Sequence, residues 1–158
     1  MQITILAVGR FRSGPQRALY EDYASRLKKG ALLGPLKLQE VEEKRNLEPE
    51  RLKAREGELL ARALPGGAHC IALDERGDNL DSAQLAGLLG QWREEGQRET
   101  VFLIGGADGL SPELRERADK VLSFGRMTWP HQLVRGLLAE QIFRANAILS
   151  GHPYHRAD

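Results

Sequence analysis

Thr100-Val101-Phe102-Leu103-Ile104, followed at once by Gly105-Gly106-Ala107-Asp108-Gly109, is the stretch on which the fold turns. The first five residues are mostly β-branched, aromatic or leucine, with no polar alternation. Such a short apolar run predicts a strand covered on both faces. Glycines at its carboxyl end allow positive φ and a close backbone approach to a ligand. Ser111-Pro112 then opens a short helix, with serine at the capping position and proline in the first turn. A buried strand, a glycine loop and a helix, in that order, belong to an α/β protein.

Outward in both directions the same alternation recurs. Residues 2–8 predict a buried first strand. Ser13-Gly14-Pro15 predicts a helix start with Ser13 as cap; Leu19, Tyr23 and Leu27 share one face of that helix, and Gly30 stops it. Leu36 to Val41 reads as a second strand. A charged helix from about Pro49 to Leu64 follows, with Leu52, Leu59, Leu60 and Ala63 inward. Cys70 to Leu73 reads as a third strand ending at Asp74, and Asp74 to Leu80 as a polar loop. A helix from about Ser82 to Trp92 turns Leu85, Leu88 and Leu89 inward. Val121 to Phe124 reads as a last short strand, and Pro130 opens the longest helix, which runs to about Leu149. Its stripe is Val134, Leu137, Leu138, Gln141, Ile142, Ala145 and Ile148. The prediction is a mostly parallel sheet flanked by helices, whose ligands collect at the carboxyl ends of the strands. Three loops qualify: Leu73 to Gly77, Gly105 to Gly109 and Gly125 to Trp129.

Composition narrows the class without naming a chemistry. A chain of 158 residues, 41% hydrophobic and 28% charged, suits a single folded domain. One cysteine, Cys70, leaves no intrachain disulfide framework. The apolar start lacks a basic region and a cleavage site, and is too short to span a bilayer, so a cytoplasmic protein is expected. A net charge of +1 does not announce a nucleic-acid binder. Residues 1–37, however, carry seven basic side chains (Arg10, Arg12, Arg17, Arg26, Lys28, Lys29, Lys37) against two acidic ones. That patch suits a phosphate backbone or, more plainly, a solvated helix face.

The glycine loop is neither the dinucleotide fingerprint nor a Walker A loop, which disfavours a classical Rossmann dehydrogenase or an ATPase. Phe124-Gly125-Arg126-Met127-Thr128-Trp129-Pro130-His131 offers apolar surface for a flat ligand such as adenine, unless Met127 and Trp129 are core residues. His131 and Arg135 lie one helical turn apart. The tail, His152-Pro153-Tyr154-His155-Arg156, has too few ligands for a metal site and suits RNA contact through phosphates and stacking. Asp74, Glu75 and Asp78 sit in too polar a loop for paired-carboxylate chemistry, and no nucleophilic triad stands out.

Three segments together resemble a known family. They are Leu103 to Ser111, Met127 to Arg135 with Glu140-Gln141 and Arg144-Ala145, and His152 to Arg156. In order and spacing they are similar to the ribosomal RNA large subunit methyltransferase H family of the SPOUT superfamily, with Ala7-Val8-Gly9 and the chain length in agreement. Ala107-Asp108 and Gly125-Arg126 are small departures, in loops that vary within the family.

The resemblance implies one SPOUT domain over 1–158, a C-terminal trefoil knot over about 100–150, and an RNA-contacting tail over 151–158. It implies a homodimer whose cofactor, S-adenosylmethionine, lies near the dimer interface, and it implies no metal and no membrane. The cofactor-binding residues would be Leu73, Gly105, Phe124, Gly125, Arg126, Met127, Thr128 and Trp129. The catalytic residues would be His155, His152, Arg156 and Tyr154, with the choice of base between the two histidines open. The implied reaction is methylation of N3 of pseudouridine 1915 in helix 69 of 23S rRNA, on assembled ribosomes. The alternatives are a SPOUT methyltransferase with another RNA target and a non-catalytic ribosome- or RNA-binding protein.

Overall fold

The computed structural model describes residues 1–28 and 30–155. Five strands, β1 (Gln2–Val8), β2 (Leu36–Val41), β3 (His69–Asp78), β4 (Glu99–Ile104) and β5 (Lys120–Leu122), form one sheet in the order β2-β1-β4-β3-β5. Every neighbouring pair is parallel. The helices α1 (Pro15–Arg26), α2 (Pro49–Ala63), α3 (Ser82–Glu94), α4 (Pro112–Arg117) and α5 (His131–Leu149) connect and follow them.

The sheet is covered on both faces, which is why its central strands read as continuous apolar runs. On one face α1, α3 and α5 pack over Ile3, Ile5, Ile71, Phe102 and Ile104; on the other, α2 and α4 cover Leu6, Val8, Ala72, Val101 and Leu103. Alternate residues of β1 and β4 thus serve opposite layers. Each fully buried Ile, Leu or Phe among them contributes about 1.5–3 kcal/mol over exposure.

Several expected boundaries move for identifiable reasons. Ser13 does not cap α1: Gly14 holds the cap position, with no side-chain bond. Ser111 stands at the start of α4, but its side chain caps nothing. The helix with a full capping box is α3, where Asp81 accepts from the Gln84 amide and the Gln84 side chain accepts from the Asp81 amide. α1 ends at Arg26, before Gly30.

The largest correction concerns β3. The polar residues Asp74 to Asp78 are not a loop; they continue the strand past a bulge, pairing Asp78 with Leu122. A Cβ on Gly77 would stand 2.5–2.7 Å from the backbone of Val121 and Leu122, so glycine permits this close approach. The inner face of α2 also differs: Glu56 and Gly57 are buried with Leu60, while Leu52 and Leu59 are only half-buried. No helix among the described residues is long and apolar enough to cross a membrane.

Candidate active site

The second half of β3 and the loops that follow β4 and β5 come together around a cleft of about 390 Å3. This is where an open parallel sheet places its ligands. Leu73, Gly105, Phe124, Gly125, Met127, Thr128 and Trp129 all line it. Arg126 does not; its neighbours on either side face the cleft instead. Met127 is 69% exposed and Trp129 38%, the only large hydrophobic side chains so open among the described residues. The core explanation for these two residues therefore fails.

The glycine loop is built for closeness. A Cβ on Gly105 would lie 2.5 Å from the carbonyl carbon of Gly109 and 2.7 Å from the Leu110 nitrogen. The loop closes on itself through the Gly109 amide, which donates to the Gly106 carbonyl at 3.1 Å. Behind it, a Cβ on Gly106 would lie 2.8 Å from Glu56 Oε2. Helix α2 thus presses a buried carboxyl against the back of the loop. Burial, and then the charge of Asp108, push that carboxyl above its usual range.

The second loop is held by short polar contacts. The Ser123 amide donates to the Asp78 carbonyl at 2.9 Å, and the Gly125 amide donates to Ser123 Oγ at 3.1 Å. Trp129 Nε1 donates to the Phe124 carbonyl at 3.3 Å, fixing the indole at the rim. Across the cleft, Asp74 accepts from Arg115 at 3.1 Å, with both side chains largely buried. Asp74 is therefore an anchor of the wall and not half of an acid pair.

Next to the cleft, against the end of β1, lies the group the sequence concealed most. Arg135 is completely buried. Its Nη2 donates to the carbonyls of Val8 and Gly9 at 2.6 and 2.8 Å, its Nη1 to Glu40 Oε1 at 2.8 Å, and its guanidinium covers the Phe11 ring at 4.7 Å. An arginine on a helix face normally reads as solvated. The signal available was only its spacing of four from His131, which does line the cleft.

The described part of the tail, Gly151 to His155, lies elsewhere. The Tyr154 hydroxyl meets the Tyr23 hydroxyl at 3.3 Å and Glu140 Oε1 at 3.1 Å, and its ring packs against Phe143 at 4.7 Å. Arg144 lies over the same ring and reaches His155 Nδ1 at 3.4 Å. His152 is exposed, with Nδ1 accepting from the Tyr154 amide at 3.2 Å. Arg156 lies outside the described residues. None of Tyr154, His152 and His155 lines the cleft. Along α5, Glu140 is nine residues from His131, about 13 Å at helical rise. A second cavity of about 540 Å3 lies between, sharing Ser123, Phe124 and Trp129 with the cleft and bounded by Leu137, Glu140 and Gln141.

The basic segment near the amino terminus is mixed. Arg10 pairs with Glu42, Arg17 with Glu21 and Arg26 with Asp22, all exposed. Among the described residues no cluster of three or more His, Cys, Asp or Glu has metal-site geometry.

Against known proteins, the family described as predicted SPOUT methyltransferase matches residues 1–155. The chain belongs to the SPOUT methyltransferase family. It is 54% identical over 157 residues to a protein of Rhodospirillum centenum (strain ATCC 51521 / SW) named ribosomal RNA large subunit methyltransferase H, covering 99% of this chain and all of the relative. A protein of the same name from Paramagnetospirillum magneticum (strain ATCC 700264 / AMB-1) is 54% identical over 156 residues, covering 99% of each chain. The fold is also similar to a probable methylase family protein of Haemophilus influenzae Rd KW20, with a TM-score of 0.58 at 12% identity, covering 98% of this chain and 70% of that one. The chain is thus a methyltransferase, and the cleft is its candidate donor site.

Proposed function

We propose that this methyltransferase transfers the methyl of S-adenosylmethionine to N3 of pseudouridine 1915 in helix 69 of 23S rRNA, on assembled ribosomes and as a homodimer. The observation that carries the reading is the convergence of the glycine loop, the Phe124 to Trp129 loop and the Leu73 to Arg76 part of β3 on one cleft, within a chain similar end to end to the rRNA methyltransferases named above. We read the chain as one domain, with the family's knot over about 100–150 and the tail from 151 on.

The residues fit the donor. The cleft has the size of a small-ligand pocket. Leu73, Ile104, Phe124, Met127 and Trp129 supply apolar surface for an adenine, and a loop without side chains at Gly105 and Gly106 lets backbone amides approach a ribose or carboxylate. When bound, S-adenosylmethionine supplies a methyl activated on a sulfonium sulfur. The chain's own task is then largely to position the acceptor, the kind of effect that accounts for most of such a rate enhancement.

N3 of the base carries a proton that must leave as the methyl arrives, and His155 or His152 is chemically suited to take it. Tyr154 would stack on the base, and Arg156 would hold a phosphate or the charge developing on the base. Tyr154 meets Glu140, about a helix half-length from His131, and neither this tyrosine nor His152 nor His155 lines the cleft of its own protomer. We therefore propose that they serve the cleft of the second copy, so that each site is composite.

The test is transfer of labelled methyl groups to ribosomes lacking the N3 mark, with free 23S rRNA alongside. Label on N3 of pseudouridine 1915 in ribosomes is expected. Donor binding without label on either substrate would overturn the rRNA assignment and point to another RNA. Absence of donor binding would favour a non-catalytic RNA-binding protein.

A further inference from the structure

Beyond His152, no backbone hydrogen bond among the described residues ties the tail to the rest of the protomer; the last runs from the His152 amide to the Ala147 carbonyl at 2.9 Å. The side chain of Tyr154 takes over from there. Its hydroxyl meets two groups, Glu140 Oε1 on α5 at 3.1 Å and the Tyr23 hydroxyl on α1 at 3.3 Å. The carboxylate, which also accepts from Arg144 Nε at 3.0 Å, takes the one proton that Tyr154 can offer. Tyr23 is then the donor to Tyr154, and its proton fills a lone pair that Tyr154 has left.

Tyr23 is itself held in place. Its ring lies against Phe143 with 6.0 Å between centroids, and the Arg26 guanidinium stands 5.1 Å from the Tyr23 ring and 5.6 Å from the Phe143 ring. Asp22 keeps Arg26 there at 2.8 Å. Phe143 in turn meets the Tyr154 ring edge-on at 4.7 Å, so the two tyrosines share one phenylalanine as well as one hydrogen bond. α1 and α5 pack along one another, and the tail is laid across the pair. None of Tyr23, Arg26 and Phe143 lines the donor cleft.

We propose that Tyr23 is a positioning residue for methyl transfer, the group through which the α1–α5 pair sets the direction in which Tyr154, and with it His152 and His155, is presented to the RNA. The inference rests on the reading of the tail as the acceptor side of the site. Tyr23 stands off the donor cleft and acts through Tyr154 alone. Two hydrogen bonds on one phenol oxygen fix the ring against two helices; with one, the ring swings about the bond that is left. Lost orientation lowers the fraction of complexes in a reactive geometry without weakening the binding of either ligand. Removing the Tyr23 hydroxyl therefore acts on kcat, by about tenfold, near the upper end of what a single hydrogen bond sets.

The experiment is labelled methyl transfer to ribosomes lacking the N3 mark by full-length wild type, Tyr23→Phe, Tyr154→Phe and the double variant. Fluorine NMR of the fluorotyrosine-labelled chain accompanies it, since the three tyrosines, Tyr20, Tyr23 and Tyr154, give three assignable signals. In Tyr23→Phe kcat should fall about tenfold while the KM for ribosomes and the donor Kd stay within about twofold. The Tyr154 signal should move and that of the buried Tyr20 should not. Tyr154→Phe should lower kcat at least as far, and the double variant should be no slower than Tyr154→Phe alone, because the two hydroxyls act as one unit. A Tyr23 that merely joined α1 to α5 would leave kcat at the wild-type value in Tyr23→Phe, and that result would overturn the inference. So would losses that multiply in the double variant, since Tyr23 would then act apart from Tyr154. Wild-type kcat in Tyr154→Phe would remove the acceptor role of Tyr154 and the inference with it. Absence of transfer by the wild type would instead sink the functional reading beneath both.

Discussion

The cleft and the tail are built on opposite plans. The cleft is assembled from three strand ends in one protomer, with backbone contacts so tight that single Cβ atoms would not fit. The described part of the tail is five residues, Gly151 to His155, held by side chains: two tyrosine hydroxyls, a glutamate, an arginine and a phenylalanine ring. The first plan tolerates little movement and suits a ligand that must be held in one pose. The second can release at modest cost and suits contact with something outside the protomer.

The sharpest way to break that contrast is Gly105→Val. The new side chain would collide with the loop's own backbone at Gly109 and Leu110. Donor affinity should fall on the order of a hundredfold by calorimetry, since an overpacked loop cannot keep its shape. Far-UV circular dichroism should be unchanged, because the loop is peripheral to the sheet. Near-normal binding would mean that the glycine loop is a turn and not a ligand cradle.

Removing the tail after Gly151 should do the reverse. Donor affinity is expected to stay within about threefold, while methyl transfer to ribosomes falls by on the order of a thousandfold, as expected when a proton acceptor and a substrate anchor are lost together. Mixing the truncated chain with the Gly105→Val chain should restore part of the activity if the tail serves the neighbouring protomer's cleft. No recovery in subunits shown to exchange would place the tail's role within its own protomer.

Stability should divide in the same way. Arg135→Met leaves the Val8 and Gly9 carbonyls without the guanidinium in a buried place, while the more open Glu40 keeps the Phe11 amide, and should cost about 3 kcal/mol in urea unfolding. Tyr154→Phe removes two half-buried hydrogen bonds and should cost about 0.5 kcal/mol. Comparable losses in both would mean that the tail is as integral to the fold as the clamp.

Sequence patterning located the sheet well because its signal is local. β1 and β2 fall where their apolar runs predict, and the glycine loop follows β4 as expected. Residues from all three segments proposed as ligand-bearing share one cleft, although the first, Leu73 to Gly77, is strand and not loop. Long-range pairing stayed hidden. Asp74 to Asp78 reads as loop because its polar residues lack strand character; it becomes strand only because β5 lies beside it and Gly77 lets it approach. Nothing in the local pattern marks Arg135 or Glu56 as buried, and only the chain packed above each one buries it. Arg126 was grouped with its neighbours by position alone, whereas the turn there directs Gly125 and Met127 into the cleft. The family resemblance rested on motif order, which carries chemistry across the chain but no geometry.

Glu56 supplies the smallest and most discriminating test. Its carboxyl is buried against Gly106, and burial with the Asp108 charge raises its folded-state value above that of the unfolded chain. The native state therefore holds this proton more tightly than the unfolded state does. That contribution is fully present at acid pH and is lost as pH rises through the raised value; at neutral pH the charged form is a burden on the fold. Glu56→Gln keeps the shape and removes the charge. Its Tm should exceed that of wild type at pH 7.5, and the difference should vanish by pH 4. If the two proteins melted together at both values, the carboxylate would be solvated in practice. A lower Tm for Glu56→Gln at pH 7.5 would instead mean that the charge is matched by loop amides. The cradle of the cleft would then be held by attraction to α2 and not by close packing alone.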